Sequence, residues 1–208
     1  TLESGSLTSA NGPSGGKIEI QSGDTTLVAG SVEAKGSLAP AGAAVGGEGG
    51  TVHVLGNLVG LINNARIDAS GQSGGGTVLV GGDFQGKPGL SAVEGNPIQN
   101  AFRTYVGPNA TIAADAVTSG DGGKVIVWSD DATRFYGTIT ARGGSQSGNG
   151  GFAEVSSHNW LDFQGLAKLG ATRGKSGTLL LDPNDVKIND TGPDTGSFDG
   201  AEFFLSSG

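Results

Sequence analysis

Six short stretches carry apolar residues at alternate positions, and each follows a glycine: Lys17-Ile18-Glu19-Ile20, Thr51-Val52-His53-Val54, Thr77-Val78-Leu79-Val80, Lys124-Val125-Ile126-Val127, Phe152-Ala153-Glu154-Val155 and Thr178-Leu179-Leu180-Leu181. A period of two puts the second and fourth residues on one face of a strand. Ile18/Ile20, Val52/Val54, Val78/Val80, Val125/Val127, Ala153/Val155 and Leu179/Leu181 are therefore predicted to point inward. Lys17, Glu19, His53 and Glu154 are predicted to point out into solvent.

A second apolar column follows at a nearly fixed distance, in Val32-Glu33-Ala34, Ile67-Asp68-Ala69, Ile112-Ala113-Ala114, Ile139-Thr140-Ala141 and Leu166-Ala167-Lys168. Val32 lies 12 residues after Ile20, Ile67 13 after Val54, Ile139 12 after Val127 and Leu166 11 after Val155; Ile112 lies 32 after Val80. Between the two columns sit Leu27-Val28-Ala29, Leu58-Val59-Gly60-Leu61, Tyr105-Val106, Arg134-Phe135-Tyr136 and Leu161-Asp162-Phe163. Three short strands per repeat, with polar Gly/Asn/Ser corners, predict an all-β parallel β-helix in which each coil buries its core against its neighbours. Coils paired at about 4.8 Å make six of them a rod of about 30 Å. An all-β sandwich would call for hairpin turns and large aromatic core pairs, whereas aromatics here are 6%.

The irregular spacing marks an insert of roughly residues 84–104, with Lys87-Pro88-Gly89 and Asn96-Pro97 as turn signals. The outward third position is apolar at Leu79 and Ile126, the strands that flank the insert. Two stacked, exposed aliphatic side chains invite a cover. The insert is predicted to fold back over them, with Phe84, Leu90, Val93, Ile98 or Phe102 making the contacts. The rival reading is a partner-binding stripe. The coil is assigned to 1–189, and 190–208 to an acidic segment that caps it or opens another module.

Glycine supplies 41 of 208 residues and cysteine none. That density disfavours helices, where each glycine costs about 1 kcal/mol against alanine. The absence of cysteine excludes disulfide and thiol chemistry. Twelve basic against 20 acidic residues give a net charge of −8, which makes nucleic acid and anionic membranes poor partners. No apolar run is long enough for a spanning helix. The chain opens on Thr1 and both ends fall inside the repeat, so it is expected to be a piece of a longer protein.

Candidate chemistry is sparse. Asp130-Asp131 and Asp182/Asp185 are the compact carboxylate pairs that acid/base hydrolysis would need, but aspartate also caps turn backbone. Gly46-Gly47-Glu48-Gly49-Gly50 and Ser119-Gly120-Asp121-Gly122-Gly123 faintly resemble a calcium roll without its tandem nonapeptides. The run from Asp182 to Asp190 is oxygen-rich but lacks EF-hand order. His53 and His158 are the two histidines, too few for a nitrogen-based zinc site; His53 is expected as a solvated surface residue. Ser156, Ser157 and His158 form no nucleophile elbow. Asn109-Ala110-Thr111 and Asn189-Asp190-Thr191 are glycosylation sequons. The expectation is no catalytic, cofactor-binding or metal-binding residue.

Several ordered stretches resemble one family. They are Gly76-Thr-Val-Leu-Val-Gly-Gly-Asp-Phe-Gln-Gly86, Arg103-Thr-Tyr-Val106, Gly122-Gly-Lys-Val-Ile-Val-Trp128, Thr133-Arg-Phe-Tyr-Gly-Thr-Ile139, Gly150-Gly-Phe-Ala-Glu-Val-Ser156 and Gly177-Thr-Leu-Leu-Leu-Asp-Pro-Asn-Asp185. The series is similar to the filamentous haemagglutinin-like exoproteins of two-partner secretion systems. The resemblance implies a right-handed β-helix, secreted through a dedicated outer-membrane transporter and displayed at the bacterial surface or released. Host-cell, surface or self contacts are the further partners it implies. That family's secretion domain carries Asn-Pro-Asn near its start; Asn96-Pro97 lacks the second asparagine, and Asp182-Pro183-Asn184 stands elsewhere. The expectation is therefore a downstream, non-catalytic adhesive shaft. The alternatives are a self-assembling fibre subunit and a carbohydrate-active β-helix enzyme.

Overall fold

A computed structural model describes residues 1–37 and 47–183, together with the backbone of two short strands at 196–198 and 203–205. The chain coils as a right-handed parallel β-helix with three strands per turn. The first sheet stacks β2 (Lys17–Gln21), β5 (Thr51–Leu55), β8 (Thr77–Val80), β11 (Lys124–Val127), β14 (Phe152–Ser156) and β17 (Thr178–Asp182). The second stacks β3 (Thr25–Val28), β6 (Leu58–Leu61), β9 (Arg103–Val106), β12 (Ala132–Phe135) and β15 (Trp160–Phe163). The third stacks β1 (Leu7–Ser9), β4 (Ser31–Glu33), β7 (Arg66–Asp68), β10 (Thr111–Ala113), β13 (Thr138–Thr140) and β16 (Leu166–Lys168).

Register follows the apolar pattern. Ile18, Val52, Val78, Val125, Ala153 and Leu179 are successive partners in the first sheet, and Ile20, Val54, Val80, Val127, Val155 and Leu181 form the parallel column. The interior members are fully buried, while Leu179 and Leu181 stand 37% and 40% exposed on the last rung and Ile20 is half-buried on the first. The predicted burial thus fails at the ends, where a rung has a neighbour on one side.

One register expectation is corrected. Ile139 pairs with Ala167, not with Leu166, which pairs with Thr138 and points outward at 50% exposure. A strand slipped by one residue turns every side chain to the opposite face, and Ala167 restores the spacing, 12 residues after Val155.

The second sheet turns threonines inward as well as aliphatics. Thr26, Thr104 and Thr133 are buried, and their hydroxyls donate to the carbonyls of Leu55, Trp128 and Ser156 at 2.6, 2.7 and 2.8 Å. Each bond satisfies a carbonyl at the corner between the first two sheets, so the buried hydroxyls are not left unpaired.

The glycine pairs that precede the first-sheet strands pass the third-sheet ends at backbone contact. A Cβ on Gly75 would collide with the Ala114 carbonyl oxygen and the Gly123 nitrogen. The predicted segment 190–208 lies outside the described residues, apart from the antiparallel backbone pairing of β18 (Gly196–Phe198) with β19 (Phe203–Leu205). The boundary placed at 189 lies outside them too.

Candidate functional site

The insert leaves the coil after β8 and returns at β9, where the Ala101 N–H donates to the Gly81 carbonyl at 2.5 Å. It opens with one 3-10 turn, Phe84–Gly86, capped by the Asp83 carboxylate accepting from the Phe84 N–H at 2.7 Å. Gln85 sits in the left-handed region at φ 53°. A hairpin-like return pairs Leu90 with Pro97. The segment lies as a strap along the outer face of the first sheet.

Beneath it is a second hydrophobic cluster, separate from the coil interior: Leu55, Leu79, Ile98, Ile126 and Trp128, with Phe84 and Phe152 packed on its margin. Leu79 is 3% exposed and Ile126 fully buried, so the cover predicted from those two residues is present. Ile98 and Phe84 make it. Leu90, Val93 and Phe102 do not, at 63%, 63% and 46% exposure. Phe84 meets Phe152 edge-on at 5.8 Å between centroids. Gly82 and Gly86 lie on the Trp128 indole, where a Cβ on either would press into the ring. The strap can approach Trp128 because these two positions lack side chains.

His53 and Glu154 correct the sequence expectation. Both occupy the outward third position, yet both are buried, at 3% and 0% exposure. The strap covers them, and it covers Glu19 too, whose side chain is 10% exposed, so of the four residues expected in solvent only Lys17 stands there. Glu154 accepts the Gln85 N–H through Oε1 at 3.1 Å and Oε2 at 3.2 Å. At the other end Glu19 accepts the Ser91 hydroxyl at 2.9 Å and the Ala92 N–H at 3.0 Å. The Ala92 N–H is shared with His53 Nδ1 at 3.3 Å, and that nitrogen lies 3.4 Å from Glu19 Oε2.

Burial raises the pKa of the Glu154 carboxyl, with the Asp182 and Asp83 charges adding to it and the Ser156 hydroxyl and Gln85 N–H opposing it. Burial lowers the pKa of the His53 imidazole despite the Glu19 carboxylate beside it. Hydrogen bonds to the charged form do not outweigh desolvation at either group.

Asp130 and Asp131, the compact carboxylate pair, work on opposite sides of a corner. Asp130 Oδ1 accepts from Trp128 Nε1 at 3.0 Å and from Asn100 Nδ2 at 3.1 Å, which ties the returning strap to the coil. Asp131 pairs with Arg103 Nε at 2.7 Å, and this hydrogen bond holds its carboxyl below the usual range. Ser157 donates to the Asp131 carbonyl at 2.9 Å, Ser156 accepts the Asp182 N–H at 3.2 Å, and His158 is exposed. The serines are corner ties.

Asp121 accepts the Asn149 N–H at 2.7 Å, and Asn149 accepts the Lys175 N–H at 2.9 Å, a corner ladder from coil to coil. Glu48 is exposed at a corner. Among the described residues no three His, Asp or Glu side chains converge as metal ligands do. Asn109 is exposed in the turn between β9 and β10. Gly46, Asp185, Asn189 and Asp190 lie outside the described residues.

No protein-family model matches the chain, and no curated protein does. Among solved structures it is similar to the HMW1 secretion domain from Haemophilus influenzae, with a TM-score of 0.54 and 24% sequence identity. The match covers 85% of this chain and 47% of that one, so the chain spans about half of that structure. The likeness is one of fold.

Proposed function

We propose that the chain is a non-catalytic shaft segment of a bacterial exoprotein that is exported by a two-partner outer-membrane transporter and displayed at the surface or released. The observation that carries this reading is the use made of the acid and base groups under and beside the strap. Glu19, His53, Glu154 and Asp130 hold the strap against the coil. Their work is architectural, and the coil itself presents stacked, repetitive outer faces. The ordered motifs from Gly76 to Asp185 and the fold of the Haemophilus secretion domain support export of this kind.

The test is deletion of this segment from the exported parent, expressed with its cognate transporter. A shaft segment leaves export intact and shortens the rod seen by electron microscopy. Loss of export identifies the segment as the secretion domain instead. Release of reducing sugar from polysaccharides, lost in Asp130→Asn, would establish the enzyme reading.

The fibre reading has one observation in its favour: Leu179 and Leu181, core-column residues, are exposed on the last described rung of the first sheet. Sedimentation of the isolated chain separates the two, since a fibre subunit forms end-to-end species whose size grows with concentration.

A further inference from the structure

Among the described residues, the outer face of the second sheet leaves Leu58, Tyr105 and Trp160 exposed. Its third strand positions run Leu27, Gly60, Tyr105 and Arg134 from β3 to β12. Gly60 carries no side chain between Leu27 and Tyr105, and the gap there is bounded by the flexible Leu27 Cδ2 methyl, which leans towards it. A trough of about 510 Å³ follows, lined also by Leu58 and Arg103. Four strands at about 4.8 Å make it about 14 Å long, parallel to the rod axis.

Two features identify what the trough can hold. In a chain of net charge −8, the charged residues lining it are both arginines. Arg103 shares its guanidinium with Asp131, with its side chain 62% exposed. Arg134 is exposed, stacks on Trp160 at 5.2 Å and forms no ion pair among the described residues. Apart from Thr25 and Thr104 the rest of the lining is apolar or aromatic, with Leu58 and Tyr105 36% and 37% exposed. Exposed Tyr and Arg in a largely apolar trough, with Trp160 beside Arg134, are the residue types that concentrate binding energy at protein interfaces.

We propose that this trough docks an extended acidic–apolar peptide segment of a partner protein. Its carboxylates pair with Arg103 and Arg134, bidentate geometry being available to the guanidinium, and an apolar side chain enters the gap over Gly60. A saccharide fits less well. Its hydroxyl donors need several acceptors, and the lining side chains include no carboxylate or amide; the Thr104 hydroxyl is committed to the Trp128 carbonyl, which leaves the Thr25 and Tyr105 hydroxyls. β6, β9 and β12 pair on both sides, and the outer edge of β3 is met by the chain at the Leu2–Val28 bridge, so the peptide is read through side chains, not by strand addition. About 14 Å accommodates about four extended residues.

The inference adds a contact to the proposed shaft and is tested without reference to export. A random dodecapeptide phage library is selected on the immobilised 208-residue chain. Enriched sequences are expected to combine Asp or Glu with Leu, Ile or Phe, and to bind more weakly as salt rises. Their synthetic versions are expected to lose at least tenfold in affinity for Arg134→Gln and for Gly60→Val.

Gly60→Val is the decisive variant. Its Cβ meets only the flexible Leu27 Cδ2 at 2.7 Å and Ile62 Cγ2 at 3.6 Å, and a β-branched residue suits a strand. The coil should melt at or above the wild-type temperature while the gap is filled. Absence of enrichment, enriched sequences without acids, or unchanged affinity for Gly60→Val would each overturn the proposal. So would oligogalacturonate binding in the trough without peptide binding.

Discussion

Glu154 accepts the backbone N–H of Gln85 through both carboxylate oxygens, at 3.1 and 3.2 Å, across 69 residues of chain. It is fully buried. A strand residue of one coil thus fixes the left-handed turn with which the strap begins, and Glu19 fixes the strap's far tip on β2.

The sign of the Glu154 contribution follows from its raised pKa. The folded protein holds this proton more tightly than the unfolded chain. Its contribution to stability is therefore complete below the unfolded value, about 4.3, and is lost as pH rises through the folded value. Glu154→Gln keeps an oxygen for the Gln85 N–H and removes the charge. Its melting temperature at pH 7 should equal or exceed wild type, with a flatter dependence above pH 4. Glu154→Ala leaves that N–H unpaired and should cost about 1–3 kcal/mol. Melting curves of both variants from pH 4 to 8 check this.

His53 acts in the opposite sense. Its lowered pKa means the folded state binds fewer protons than the unfolded one. The associated stability is present above the unfolded value, about 6.5, and is lost as pH falls through it towards the folded value. Protonation at Nδ1 also displaces the Ala92 N–H that this nitrogen accepts. Acidification should loosen the strap tip first, so protection of the Ala92 amide, relative to an unstructured amide at the same pH, should fall between pH 7 and 5 while that of Val125 is kept. His53→Phe should abolish the fall. A tip equally protected at both pH values would contradict the assignment.

The coil was legible in the sequence because period two, glycine corners and the 12-residue spacing to the second column all demand the same stacking. Leu79 and Ile126 announced a cover because apolar residues stood where the pattern wanted polar ones. His53 and Glu154 gave no such signal. A polar residue at an outward position reads the same whether water or a strap lies above it, and the strap's reach is set by chain between β8 and β9. Leu166 misled because two adjacent apolar residues, Leu166 and Ala167, leave a one-residue register choice that only the neighbouring coil decides.

Deleting 86–101 should uncover Leu79, Ile126 and Trp128 while leaving the coil folded. Of the residues removed, Ala101 alone belongs to the interior cluster, which is otherwise separate from the one under the strap, and the strap leaves the coil at Gly81 beside the point where it returns. Far-ultraviolet circular dichroism should retain its strand signature. Binding of a hydrophobic dye should rise, and Trp128 emission should shift to the red. Collapse of the strand signal would mean that the strap is part of the folding core.

Val125→Asp tests the columns themselves. Val125 is fully buried between Val78 and Ala153, the residues directly below and above it in the stack. An aspartate there faces apolar side chains on both rungs and finds no donor, so it must either ionise without a partner or hold its proton at a cost. In a repeat array each coil is stabilised by its two neighbours, so one broken contact weakens both interfaces at once. The loss should exceed about 4 kcal/mol, beyond the ordinary range for a point substitution, and should shrink as pH falls and the carboxyl is neutralised. Thr77→Asp, one residue from the column position Val78 but at an outward position, should cost under about 1 kcal/mol. Denaturant melts of the two variants at pH 7 and pH 4 decide the matter: a larger loss for Thr77→Asp than for Val125→Asp would mean that the inward and outward faces of the first sheet have been exchanged.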